Sequence, residues 1–175
     1  IMTALVALEN ADLSDVVTVS QNADMNSFAA DEATCGIKAG DKITLSDLLY
    51  GLLLHSGNDN ATAIAEYVGG SMDGFAEMMN KEAAKLMATG THFVNSNGLH
   101  NDNHYTTAYD MAMLARKAMS EKVIREIVST KSISFKQQNT ATSKINTSRY
   151  FTNTNLFLTS NDKITYRKQS IPIKY

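Results

Sequence analysis

Leucine stands at positions 45, 48, 49, 52 and 53, an i, i+3, i+4, i+7, i+8 spacing that lays one apolar stripe along a helix. Thr44 with Asp47 three residues on forms a capping-box pair, so this helix is predicted to begin after Thr44 and to reach about His55. The pattern resumes at Ala61, Ile64, Ala65 and Val68, with Asn58, Asp59 or Asn60 as the predicted cap and Gly69-Gly70 as the stop. A third helix is predicted from Ser71 through Phe75, Met78, Met79, Ala83, Leu86 and Met87, stopping at Gly90. A fourth carries Met111, Leu114, Ala115, Ala118 and Met119 behind a Thr107/Asp110 capping box. The opening IMTALVALE reads as the middle of a buried helix with no capping residue ahead of it, so further sequence upstream is expected.

Alternation of polar and apolar residues predicts short strands at Val16–Val19, at Ser132–Phe135 and, more weakly, at Lys163–Tyr166. Residues 137–161 are rich in Asn, Thr and Ser and are expected to be mostly loop. The final RKQSIPIKY holds the sole proline and fits an edge strand or a frayed end. There is no internal repeat. The chain is expected to be one domain over residues 1–175, mainly helical, with few and peripheral strands.

Composition narrows the function classes. A chain of 175 residues with 43% hydrophobic content can bury one core, since about 150 residues already bury roughly 68–70% of their unfolded surface. Sixteen basic against eighteen acidic residues leave a formal net charge of −2, which gives no footprint for nucleic acid or an anionic membrane. A small molecule or a peptide is the expected ligand. No apolar run approaches the roughly 20 residues of a membrane span. The single Cys35 excludes an intramolecular disulfide, and no His or Asn around Ala33-Thr34-Cys35-Gly36 makes it a recognisable nucleophile. The nine methionines fall mostly at apolar helix positions, where core filling explains them.

Between the first two predicted helices of the middle region stands Ser56-Gly57-Asn58. Ser, Gly and Asn are ordinary turn and cap residues, and on the triplet alone a helix-to-helix turn is sufficient explanation. The sharper alternative is the Ser-x-Asn motif that accompanies a Ser-x-x-Lys nucleophile and a Lys-Thr-Gly strand in active-site serine penicillin-recognising enzymes. The surroundings decide between them. GIKAGDKITLSDLLYGLLLHSGNDNATAIAEYVGGS resembles the D-alanyl-D-alanine carboxypeptidases, the low-molecular-mass penicillin-binding proteins of serine peptidase family S11. The likeness extends to IMTALVALE, to THFVNSNGLHNDNHYTTAYDMAMLARKAM at Thr91–Met119 and to TNTN at Thr152–Asn155, covering most of the chain in the family's order.

The resemblance implies the helical subdomain of the β-lactamase/DD-peptidase-like α+β fold, with most of the antiparallel sheet missing and the active site in the groove between the two. It implies that Ile1 follows directly on the family's nucleophile lysine, so that Ser-x-x-Lys is absent from these residues, and that Lys-Thr-Gly would come after Tyr175. In the family the nucleophilic serine attacks the penultimate D-Ala of a peptidoglycan stem peptide, and an acyl-enzyme is then hydrolysed. Ser56 would pass a proton toward the leaving amine, Asn58 would hold the lysine and bind substrate backbone, and Gly57 would permit the tight turn that contributes to substrate binding. The implied partners are the D-Ala-D-Ala stem peptide and β-lactams, in the extracytoplasmic envelope of a bacterium, with no cofactor and no metal. Without its nucleophile pair the chain alone is expected to be inert.

Two look-alikes are set aside. Ser160-Asn161-Asp162-Lys163 spells Ser-x-x-Lys but lies in a polar stretch and opens no apolar helix, and Lys38-Ala39-Gly40 precedes the Ser-Gly-Asn triplet and reads as a turn. His100-Asn101-Asp102-Asn103-His104 does not have standard zinc spacing. Two rival readings stay open: a binding module for peptidoglycan peptides or envelope proteins that kept the bundle and lost the chemistry, and a β-lactamase of the same broad fold. A helical half that lacks its sheet is also expected to expose apolar surface and to form homo-oligomers.

Overall fold

The structure is a computed structural model that describes residues 1–134, 149–155 and 158, and the backbone at 135–136, 148, 163–166 and 169–172. Its core is helical. α1 (Met2–Asn10) buries Met2 through Ala7 completely, as its uniformly apolar opening requires. α3 (Asn58–Gly69) packs on α1, on α2 (Leu45–Tyr50) and on α4 (Met72–Lys85), and α5 (Ala108–Ser120) also contacts α1. Leu45, Leu48, Leu49, Leu54, Ile64, Phe75 and Leu114 form the buried centre that this arrangement shares.

Local chemistry sets the helix ends. The Thr44 hydroxyl accepts the Asp47 amide at 3.1 Å and the Thr107 hydroxyl accepts the Asp110 amide at 3.1 Å, so the anticipated caps form. The Asp110 carboxylate does not simply close a capping box. It reaches out of the helix to accept the Gly90 amide at 2.8 Å and the Thr91 hydroxyl at 2.7 Å, which ties the incoming loop to α5. α4 begins at the Ser71 cap but stops at Lys85, short of the predicted Gly90. Met87 takes a left-handed φ of 59°, and the Leu86, Met87 and Ala88 amides satisfy the Glu82, Ala84 and Ala83 carbonyls.

Among the described residues strands are few and pair two by two. β1 (Val16–Thr18) lies antiparallel to β2 (Lys42–Thr44), β3 (Ser132–Lys136) to β4 (Ser148–Thr152), and β5 (Lys163–Tyr166) to β6 (Gln169–Pro172). The edge-strand reading of the final segment therefore holds for Gln169–Pro172. β4 falls inside the stretch expected to be loop: Arg149-Tyr150-Phe151 alternates sides, with Phe151 buried and Tyr150 exposed, but three residues between polar runs are too short a signal to read alone. The rest of that stretch lies outside the described residues, save for 148–155 and 158.

α6 (Lys122–Ser129) was not anticipated. Val123, Ile124, Ile127 and Val128 sit on one face, and Ile124 and Ile127 are buried against the turn that follows α2. Asn153 sews the end of β4 to this helix, donating to Val128 O and Thr130 O at 3.0 Å each. Among the described residues no helix is long and apolar enough to cross a membrane. Ile127→Ala should lower unfolding stability by about 2–5 kcal/mol, the cost of a large-to-small change in a core that collapses only partly. Urea unfolding followed by circular dichroism checks this, and a loss below about 0.5 kcal/mol would mean that α6 is not part of the core.

Candidate active site

α2 ends in an unusual way. The five residues Gly51–His55 form a single turn of π-helix, and Ser56 caps it in the left-handed region at φ 64° and ψ 38°. The sequence predicted a helix to His55, and the chain does stay helical to that point, but the wider turn carries one more residue per hydrogen-bonded ring than an α-turn. The Gly57 amide donates to Gly51 O at 3.2 Å and closes the loop. A left-handed residue without glycine's freedom costs on the order of 1 kcal/mol or more, and Ser56 is one of only two such residues among those described.

The expected cap of α3 is also different. Gly57 is the N-cap and offers no side chain, while Asn58, Asp59 and Asn60 form the first helical turn. All three are buried, and a strap of irregular chain, Ala33–Ile37, is bonded to the first two of them. The Asn58 amide donates to Ala33 O at 2.9 Å. The Asp59 carboxylate, with no exposed surface, accepts the Cys35 amide at 2.9 and 2.8 Å through its two oxygens. It also accepts the Ile37 amide at 3.2 Å and the Asn60 amide at 2.8 Å. Asn60 donates to Leu48 O at 3.1 Å, and its own amide oxygen is buried without a partner among the described residues.

Ser56 and Asn58 differ in burial. Ser56 is exposed, Asn58 is nine-tenths buried, and among the described residues no neighbouring side chain engages the Ser56 hydroxyl or the Asn58 amide group. Gly57 is indispensable for packing. A Cβ there would stand 2.5 Å from Cys35 Sγ, 2.8 Å from Asp59 Oδ1 and 2.9 Å from Asn60 Oδ1. His55 packs its ring on Phe151 of β4, with centroids 5.6 Å apart, and the Thr154 amide donates to Leu54 O at 3.2 Å, so the strand pair touches the turn from outside.

Cys35, absent from the sequence-level site, proves to be a packing element of it. Its Sγ contacts Gly51 O at 3.5 Å, and burial, reinforced by the Asp59 charge, pushes its thiol well above the usual range. A thiol held neutral is a poor nucleophile. The signal was present in Cys35 being a small apolar residue beside two glycines in space, but nothing in sequence spacing connects Cys35 to Gly57. Of the set-aside look-alikes, Lys38-Ala39-Gly40 is a turn, with Gly40 at φ 84° and the Asp41 amide on Lys38 O at 2.9 Å. Lys163 opens β5, and Ser160 lies outside the described residues. His100 is exposed beside Asp102, 3.4 Å away, whereas His104 packs edge-on to Phe93 and accepts the Val94 amide at 3.3 Å, so the two histidines serve different surroundings.

The family model described as D-alanyl-D-alanine carboxypeptidase, peptidase S11, matches residues 1–168. The chain belongs to this family. A D-alanyl-D-alanine carboxypeptidase of Bacillus subtilis, DacF, is 33% identical over 135 residues, 74% of this chain and 34% of that protein. The enzyme of the same description from Streptomyces sp. is 34% identical over 168 residues, 91% of this chain and 57% of that protein. Among solved structures, the Streptomyces K15 DD-transpeptidase superposes with a TM-score of 0.80 at 34% identity, over 90% of this chain and 63% of that one. The chain thus spans from about a third to under two thirds of the length of these relatives. Its few strands and helical core correspond to a helical portion of the DD-peptidase fold.

Gly57→Ala should destabilise the chain by about 1–3 kcal/mol, because the new methyl group meets packed atoms on three sides. Cys35→Ala in the same chain removes the nearest of them and should recover part of the loss. A double-mutant cycle by urea unfolding checks it: additive losses would show that Sγ and the turn do not press on one another.

Proposed function

We propose that these residues are part of a serine-type D-Ala-D-Ala carboxypeptidase of the bacterial cell envelope, which removes the terminal D-Ala of peptidoglycan stem peptides through an acyl-enzyme. The observation that carries this reading is the Ser56 turn: an exposed serine and, two residues on, a buried asparagine, on a strained and over-determined turn inside a family-matched fold. Strain persists where the surroundings enforce it, and such places are commonly functional.

The chemistry follows from the groups. A hydroxyl both donates and accepts, so Ser56 can take a proton from one side and hand it to a leaving amine on the other. The Asn58 amide likewise offers an acceptor to an ammonium group and a donor to a substrate carbonyl. Neither is a strong nucleophile at neutral pH. A serine hydroxyl needs an adjacent base, and the 175 residues contain no Ser-x-x-Lys at the opening of an apolar helix and no Lys-Thr-Gly. The polypeptide by itself is therefore inert in this account, since activity needs a nucleophile, its lysine and a carboxylate-binding strand that these residues do not supply.

Fluorescent penicillin labelling tests the reading, run on these 175 residues and on a longer chain that carries Ser-x-x-Lys before Ile1 and Lys-Thr-Gly after Tyr175. Only the longer chain should be labelled and release D-Ala from a D-Ala-D-Ala peptide. Within it, Ser56→Ala should slow acylation by about 10²–10⁴-fold, the usual contribution of a positioned proton-transfer group. Labelling of neither chain would favour a binding module that shares the fold without its chemistry.

A further inference from the structure

We propose that Asp59 and Arg149 are positioning residues for the Ser-Gly-Asn turn, acting through the strap Ala33–Ile37, which they grip from opposite sides. The inference rests on the carboxypeptidase reading above. Its basis is the backbone of one residue. The N–H of Cys35 is held by both oxygens of the buried Asp59 carboxylate, at 2.9 and 2.8 Å. Its C=O is held by Arg149 Nη1 at 2.5 Å. Arg149 is fixed in turn by Asp41, with Nη2 3.1 Å from Oδ2, and Asp41 is itself buried and accepts the Lys38 amide at 3.0 Å. Two charged groups, one from α3 and one from β4, thus clamp the same residue of the strap.

The strap has no slack against the turn. Cys35 Sγ lies where a Cβ on Gly57 would be only 2.5 Å away, and it would stand 3.0 Å from a Cβ on Gly51. The thiol therefore touches both ends of the π-turn that presents Ser56. The Asn58 amide is bonded to Ala33 O at the strap's other end. Moving the Cys35 peptide by a fraction of an ångström must move Gly51, Gly57 and the start of α3 with it. Charge-assisted hydrogen bonds are short and directional, so they suit this duty better than apolar packing would. Proton transfer needs heavy atoms within about 2.6–3.2 Å, and a misplacement of about 1 Å costs on the order of 10²-fold in rate. Arg149 also couples the strand pair to the turn, since β4 has no other charged side chain reaching the strap among the described residues.

The test uses the longer chain with Ser-x-x-Lys and Lys-Thr-Gly, carrying Asp59→Asn, Arg149→Met or Arg149→Lys. Neither residue touches substrate in this account, so binding and acylation should separate. The acylation step with a fluorescent penicillin should slow by about 10–100-fold in Asp59→Asn and Arg149→Met while the binding constant stays within about twofold. Arg149→Lys keeps the charge but loses the fork, and should recover part of the rate. Acylation at the unmodified rate in folded Asp59→Asn and Arg149→Met would overturn the proposal. If Asp59→Asn does not fold, the comparison of Arg149→Lys with Arg149→Met decides alone. If the unmodified longer chain is not labelled, the carboxypeptidase reading has failed separately. Positioning is then decided in the 175-residue chain by the amide resonances of Ser56, Gly57 and Asn58: displacement in Arg149→Lys supports it, and unchanged resonances overturn it.

Discussion

A carboxylate with no exposed surface stands at the N-terminus of α3, and the geometry around it organises everything near the candidate active site. Burying a charge is costly unless it is hydrogen-bonded, and Asp59 meets that demand with the backbone amides of Cys35, Ile37 and Asn60. Its place in the first turn of α3 also suits the positive end of the helix dipole. The consequence is architectural. Because two of those donors belong to a distant strap, satisfying the charge fixes that strap over the helix, and the strap in turn presses on Gly51 and Gly57. The left-handed Ser56 is then what remains when both neighbouring helices and the strap have taken their positions.

This explains why the helical core and the site answer to different physics. The core is apolar and built from stripes such as Leu45, Leu48, Leu49 and Ile64, where fit and volume set the stability. The turn is polar and is built from bonds whose partners lie far apart in sequence, 22 to 24 residues for Asp59 and 114 for Arg149 with Cys35. A polar network of that kind specifies one arrangement, because any alternative leaves a buried donor or acceptor unpaired. The unpaired oxygen of Asn60 shows how tight the fit is: its side chain fills the space that a Cβ on Gly51 would need.

Much of the fold was legible in local spacing. The leucine stripe of residues 45–53, the Thr44 and Thr107 caps and the apolar opening of α1 all rest on interactions within four residues, which is the range that sequence pattern reports. The Ser56-Gly57-Asn58 triplet was legible too, though only as part of a longer family phrase, since Ser, Gly and Asn are common in any turn. What escaped was non-local. β2 and β4 are short strands whose pairing partners lie elsewhere, α6 is a two-turn helix with no strong cap, and α4 ends early because Met87 adopts a left-handed conformation that no residue type announces. Asn58, Asp59 and Asn60 all read as possible caps, because Asn and Asp at a helix start usually are. The true partners of Asp59 are amides that only the folded chain brings to it.

Native-state hydrogen exchange at the Cys35 and Ile37 amides tests the central claim most directly. If the Asp59 carboxylate holds the strap, both amides should exchange only through global unfolding, as slowly as the core amides of α3, although they lie in no helix or strand. Exchange on the timescale of an open loop would show that the strap moves independently of the turn, and would contradict the account.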